Sequence, residues 1–268
     1  MHVCLNVDEI LRPIAHELVA SEGMGSAIAL ACCRKSFEEP VLDVLWVKQD
    51  RLLPLLKSFP GDVWDDEKCT VSPSTMCFLL LLNDSVRKSF KRLPTTTERA
   101  RFRKYARRMR ELKEYSTPNV LSLETLSALL PRTINEPLFP NLKTLYFRDV
   151  RGPFVPFIPL FLSLRVTSID LGFVTDVPKA MVASVVSSFP TLCPRLQSIS
   201  LQCLPKDPMI TTAVSKMVLA TNRNTLQQLD VDSPLMEEAS EVVCELPNVR
   251  NLSVVIENSL PSASLPNL

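Results

Sequence analysis

Apolar and polar positions fall into a six-residue pattern that recurs along the second half of the chain. The pattern is L-x-x-L-x-L. It reads LKTLYF from 142, VTSIDL from 166, LQSISL from 196, LQQLDV from 226 and VRNLSV from 249, so the copies begin 24, 30, 30 and 23 residues apart. In each copy the last two apolar positions are two residues apart, the period of a short strand with one face turned into a core. The intervening positions then face the other way. Proline punctuates the upstream side, in FPN at 139–141, CPR at 193–195 and LPN at 246–248. LPNL at 265–268 reads as the opening of a sixth copy, and MRELKE at 109–114 as a weaker copy with Glu114 in an apolar slot.

Between the copies the apolar period changes to that of a helix. Val177, Met181, Val185 and Phe189 make one stripe, and Ile210, Val214, Met217 and Val218 another. In 233–246 the spacing predicts Ser233 as a cap, Pro234 as the first helical residue, and Leu235, Ala239, Val242 and Leu246 facing inward. SLETLSALL at 122–130 has the same character. One strand and one helix every 23–30 residues is the unit of a solenoid.

On these motifs residues 109–268 resemble a leucine-rich-repeat array of the irregular, helix-containing type, without the Asn that commonly follows the third apolar residue. The expected fold class is α/β, a three-helix module followed by such a solenoid. The outward strand positions would form its concave sheet: Thr144, Tyr146 and Arg148; Ser168 and Asp170; Ser198, Ser200 and Gln202; Gln228, Asp230 and Asp232; Asn251 and Ser253. They are polar and varied, as expected of a surface that binds a protein.

The first 47 residues predict three helices. Ile10, Leu11, Ile14 and Leu18 form a stripe with Asp8 and Glu9 at its N-terminal end. A Gly-Met-Gly break follows. Ala27, Leu30, Ala31 and Arg34 open a second helix, and Phe37, Val41, Leu45 and Trp46 mark a third. This segment resembles an F-box. Leu5, Glu9, Ile10, Leu11 and Ile14 match the first part of that pattern. Leu30, Cys33, Arg34 and Phe37 match the middle, and Pro40, Leu45 and Trp46 the end. Asn6 stands where the pattern has proline, and Pro13 falls inside the first helix, where it removes a hydrogen bond.

The resemblance implies a Skp-type adaptor as partner and, through it, a cullin–RING ubiquitin ligase. It implies Leu5, Ile10, Leu11, Ile14, Leu30, Cys33, Leu45 and Trp46 as the adaptor contacts. The expected organisation is therefore an F-box-like module over 1–47, a helical and loop linker over 48–95, and a repeat array over 96–268, truncated at its C-terminus. The expected function is substrate recognition in an SCF-type ligase, with no catalysis by the chain itself and an unidentified target protein. A repeat-protein scaffold without a ligase role is the alternative.

Composition removes other classes. Apolar residues make up 46% of the 268, enough for a packed core, and the 30 basic and 29 acidic side chains leave a net charge of +1, so no global field draws the chain to nucleic acid or an anionic membrane. Five glycines allow no G-x-G-x-x-G and no P-loop. Of the two histidines, His16 has no Ser or Cys partner near it in sequence. No C-x-x-C occurs among the eight cysteines, so neither a zinc ribbon nor a thioredoxin motif can be drawn, and no cofactor or metal is expected. The cysteines read as reduced and mostly buried, Cys32 and Cys33 included.

Residues 1–20 lack a signal-peptide apolar region, and the longest apolar run, 77–82, is far too short for a bilayer. An intracellular location, cytoplasm or nucleus, is expected. Twelve basic residues between Arg87 and Lys113 read as the solvent face of a helix whose apolar stripe is Phe102, Tyr105, Ala106 and Met109, with Thr95 and Glu98 as a capping box. A nucleic-acid role for them is the weakest reading, since no aromatic platform accompanies them. Trp64 with Asp62, Asp65 and Asp66 reads as an exposed acidic loop.

Overall fold

The computed structural model describes residues 8–67, 87–115, 123–129, 137–174, 177–221 and 225–255. Three helices come first: α1 (Asp8–Ser21), α2 (Met24–Cys33) and α3 (Lys35–Leu45). Gly23, at φ 85°, breaks the chain between α1 and α2, a left-handed conformation that glycine adopts without strain. Pro13 is accommodated inside α1. The carbonyl that loses its donor is that of Glu9, and both residues are exposed, so water can serve it.

The chain then forms β1 (Lys48–Gln49), the single turn α4 (Leu53–Leu56), and an antiparallel pair, β2 (Trp64–Glu67) with β3 (Arg87–Phe90). Next come α5 (Thr96–Ala106), β4 (Glu111–Glu114), α6 (Leu123–Leu129), β5 (Thr144–Val150), a 3₁₀ helix over Gly152–Phe161, and β6 (Ser168–Phe173). The remaining units are α7 (Lys179–Leu192), β7 (Ser198–Gln202), α8 (Pro208–Ala220), β8 (Gln228–Pro234), α9 (Glu237–Cys244) and β9 (Asn251–Val255).

The fold is α/β. Seven strands in the order β1-β4-β5-β6-β7-β8-β9 make one parallel sheet. The hexads stack in register, Leu145 on Ile169 on Ile199 on Leu229, and Phe147 on Leu171 on Leu201 on Val231. All eight side chains are buried beneath helical segments, as are Leu142, Val166, Leu196 and Leu226 that open each copy. Four phenylalanines, Phe139, Phe147, Phe154 and Phe161, fill the space under the 3₁₀ helix. Among the described residues no helix is long and apolar enough to cross a membrane.

Glu114 occupies a core-row position and stays buried because its carboxylate accepts the Leu52 backbone N–H at 2.9 Å. This bond also binds the segment expected as a linker to the sheet. Leu52, Leu55, Leu56, Phe59 and Val63 belong to the same core as the strands, and β1 extends the sheet, so 50–63 is body rather than connection. Trp64 is half-buried against Phe59 and Phe90, not part of an exposed loop.

Two helix expectations shift. Met181 is exposed, and α7 faces inward through Val182, Ala183, Val185, Val186 and Phe189. Ser233 and Pro234 lie in β8, where an irregularity after Val231 lets Pro234 pair with Val255, so α9 starts only at Glu237. On β9 Leu252 continues the Leu229 row yet is 47% exposed, because no further strand lies beyond it among the described residues.

Candidate functional site

Two surfaces among the described residues carry the positions expected to bind partners. The first is on the three-helix module, whose own small core is Ala15, Ala27, Val41 and Val44. Of the expected adaptor contacts, Leu5 lies outside the described residues. Ile10 and Cys33 are exposed. Ile14, Leu30, Leu45 and Trp46 are half-buried, with Leu30 and Leu45 packed on the module's core. Trp46 stacks on Tyr105 of α5 at 4.8 Å and so faces the sheet body. Leu11 is 1% exposed. It is a core residue, turned inward because α1 packs against both α2 and α3, and it presents nothing to a partner in this conformation.

Further exposed residues of the module lie along α2. Met24, Ile28 and Cys32 follow i, i+4, i+8 along α2, and Gly25, Ala29 and Cys33 run beside them; all six are exposed. Cys32 and Cys33 are thus not buried, as small apolar residues were expected to be. The sequence held the signal. MGSAIALACC has no charged residue, and a helix apolar on every side needs cover on every side. In a three-helix module only one side is covered. Here that side is Ala27, with Leu30 and Ala31 partly buried. A groove of about 430 Å³ flanks the stripe, between α2, α3 and Tyr105.

Besides the Trp46–Tyr105 stack, ion pairs connect the module to the sheet body. Glu39 on α3 accepts from Lys104 at 2.6 Å and from Arg108, and Arg108 also pairs with Asp43 at 3.2 Å. The two cations hold the Glu39 carboxyl below the usual carboxylate range, Lys104 most strongly. Lys104 of α5 and Arg108 just beyond it therefore reach α3; the Arg108 side chain is mostly buried, whereas that of Lys104 stays half exposed. The capping box at Thr95 and Glu98 forms as expected, and Arg92 and the Thr95 N–H hold the Glu98 carboxyl down to about 2. His16 is exposed on α1.

The second surface is the polar face of the sheet. The expected positions line up there in register, except that Ser200, expected to face outward, is only 6% exposed beneath its neighbours' side chains. One row runs Thr144, Ser168, Ser198, Gln228 and Asn251; the next runs Tyr146, Asp170, Ser200, Asp230 and Ser253. Arg148 ties the second row together. Its guanidinium donates to the Tyr146 hydroxyl at 2.7 Å, to the Gln202 amide oxygen, and to Asp170 at 3.4 Å. It can reach across β6 because Gly172 lies in its path; a Cβ there would come within 3.2 Å of Arg148 Cδ. Ser200 donates to Asp230 at 3.4 Å, and Gln202 to Ser200 at 3.5 Å. Asp232 caps the turn after β7 by accepting the N–H groups of Cys203 and of Leu204, the latter at 3.0 Å.

Burial pushes the Asp170 carboxyl upward, only partly offset by Arg148 and Ser200, and Asp230 adds to the rise. One Asp170 oxygen is shielded from solvent and accepts no hydrogen bond. For a carboxyl whose folded pKa lies above its unfolded one, the folded state binds the extra proton. Its contribution to stability is therefore full below about pH 4 and declines as pH rises through the folded pKa. Asp170→Asn removes that decline. In urea titrations its stability relative to the parent should improve between pH 4 and pH 7. A difference independent of pH would contradict the buried-carboxylate assignment.

One surface is apolar and the other is hydrogen-bonding. Among the described residues no group of three or more His, Cys, Asp or Glu side chains is placed to hold a metal ion. Cys193 is buried, and burial pushes its thiol up to about 12, far from the thiolate a nucleophile requires. No family model, curated protein or solved structure matches this chain.

Proposed function

We propose that the chain is a substrate receptor of a cullin–RING ubiquitin ligase. Its N-terminal module docks on a Skp-type adaptor, and the polar face of its sheet holds a target protein. The observation that carries this reading is α2: a charge-free helix whose outer face, Met24, Ile28 and Cys32, is left to solvent. The F-box resemblance of this segment and the repeat-like strand–helix units behind it agree with that assignment. Of the contacts drawn from the resemblance, the proposed docking surface keeps Ile10 and Cys33, adds Met24, Ile28 and Cys32, and leaves out the buried Leu11 and the half-buried Leu30 and Trp46.

Rate enhancement in such a ligase comes from effective concentration, the target's lysines being held near the charged conjugating enzyme. Contacts of the module with the sheet body through Glu39, Lys104 and Arg108, and through Trp46 and Tyr105, suit that role. Co-expression with a Skp-type adaptor followed by size-exclusion chromatography tests the reading. A 1:1 complex is expected. A folded chain that elutes alone would turn the assignment to an interaction scaffold acting through the sheet face only.

A further inference from the structure

A separate groove of about 930 Å³ opens between the 3₁₀ helix after β5 and the start of α7. Its volume is in the range of small-molecule sites. Pro156 and Phe157 form one wall, and Val177, Pro178 and Met181 the other. Met181 is 42% exposed here, the residue that turned away from the core relative to its expected stripe. Arg151 stands at the rim, exposed, with no ion-pair or hydrogen-bond partner for its guanidinium among the described residues.

The chemistry of the walls selects the occupant. A peptide brings an N–H and a C=O with every residue, and each needs a partner when covered. The groove has few to give. The Arg151 carbonyl already accepts from Phe154 N–H, the Val174 carbonyl from Val177 N–H, and the Pro178 carbonyl from Met181 and Val182 N–H. Pro153, Pro156 and Pro178 have no N–H at all. What the groove does offer is a broad apolar surface and one cation that has no partner among the described residues. That combination complements a hydrocarbon body bearing a single anionic head, and guanidinium pairs best with a planar carboxylate.

We infer that this groove binds an amphiphilic carboxylate of fatty-acid type, its chain along Pro156, Phe157 and Met181 and its head on Arg151. The inference is independent of the ligase reading and involves neither the α2 face nor the Arg148 network.

Dodecanoate below its critical micelle concentration is the probe, measured by displacement of anilinonaphthalene sulfonate from the full chain. Saturable one-site displacement is expected, with dodecanol at least five-fold weaker. Arg151→Glu should weaken dodecanoate at least five-fold and leave dodecanol unchanged, and Met181→Asp should abolish both. Both positions are exposed, so thermal melting should match the parent and confirm that the variants fold. No saturable displacement, or displacement indifferent to both variants, would overturn the inference. So would binding of an acidic, leucine-containing decapeptide in place of dodecanoate, which would assign the groove to a protein.

Discussion

Phe161→Ala should remove about 3–5 kcal/mol of stability, the usual range for truncating a fully buried phenylalanine. Phe161 has no exposed surface. Its ring stacks on Phe139 at 5.3 Å, meets Phe147 edge-on at 5.0 Å and lies 5.9 Å from Phe154. Removing it leaves a cavity where β5, the loop before it and the 3₁₀ helix converge. Prolines stiffen that helix, so collapse around the void is restricted. Against a typical total of about 5–15 kcal/mol the loss is a large fraction, and in a chain of this size it lowers the melting temperature by roughly 10 °C. Phe161→Leu keeps most of the apolar volume and should cost well under half as much. A loss below about 1 kcal/mol for the alanine variant would show that the four rings do not form one packed cluster.

The second large effect separates the proposed docking surface from the module's core. Ile28→Asp places a carboxylate on a residue that is 51% exposed. Stability of the isolated chain should change by about 0.5 kcal/mol or less, as at most surface sites. Adaptor affinity should fall at least 30-fold, because the complex would bury an unpaired charge among apolar side chains. Leu11→Asp should do the reverse of a surface mutation. Leu11 is buried, so the charge enters the module's interior and unfolds it. Circular dichroism and the adaptor binding of each variant, measured together, distinguish the two. Normal binding by Ile28→Asp would remove α2 from the interface.

The rows of the sheet were legible because strand burial has a period of two and the copies repeat: Leu145, Ile169, Ile199 and Leu229 are core, and their neighbours are polar and outward. Helix phase was less legible. Ile10, Leu11, Ile14 and Leu18 form one stripe in sequence, but packing against two helices decides that Leu11 is inside and Ile10 outside. Met181 differs from its expected burial for the same reason: the neighbouring 3₁₀ helix and α8 determine which side of α7 is covered. Glu114 could not be placed from local pattern, since its partner is the Leu52 N–H, 62 residues away. Arg148 was expected as one of many outward residues. Its span to Gln202 depends on Gly172 in the adjacent strand, a relation that only strand register reveals. The exposed cysteines were misplaced because cysteine is usually buried, whereas α2 has more apolar faces than the module can cover.

The central claim, that the outer face of α2 is the adaptor-docking surface, is tested most directly by thiol footprinting. Cys32 and Cys33 lie on that face, while Cys203 and Cys244 are exposed on the sheet body and serve as internal controls. Maleimide labelling of the free chain should modify all four. Saturation with a Skp-type adaptor should protect Cys32 and Cys33 and leave Cys203 and Cys244 as reactive as before. Adaptor binding with Cys32 and Cys33 still fully reactive would contradict the account.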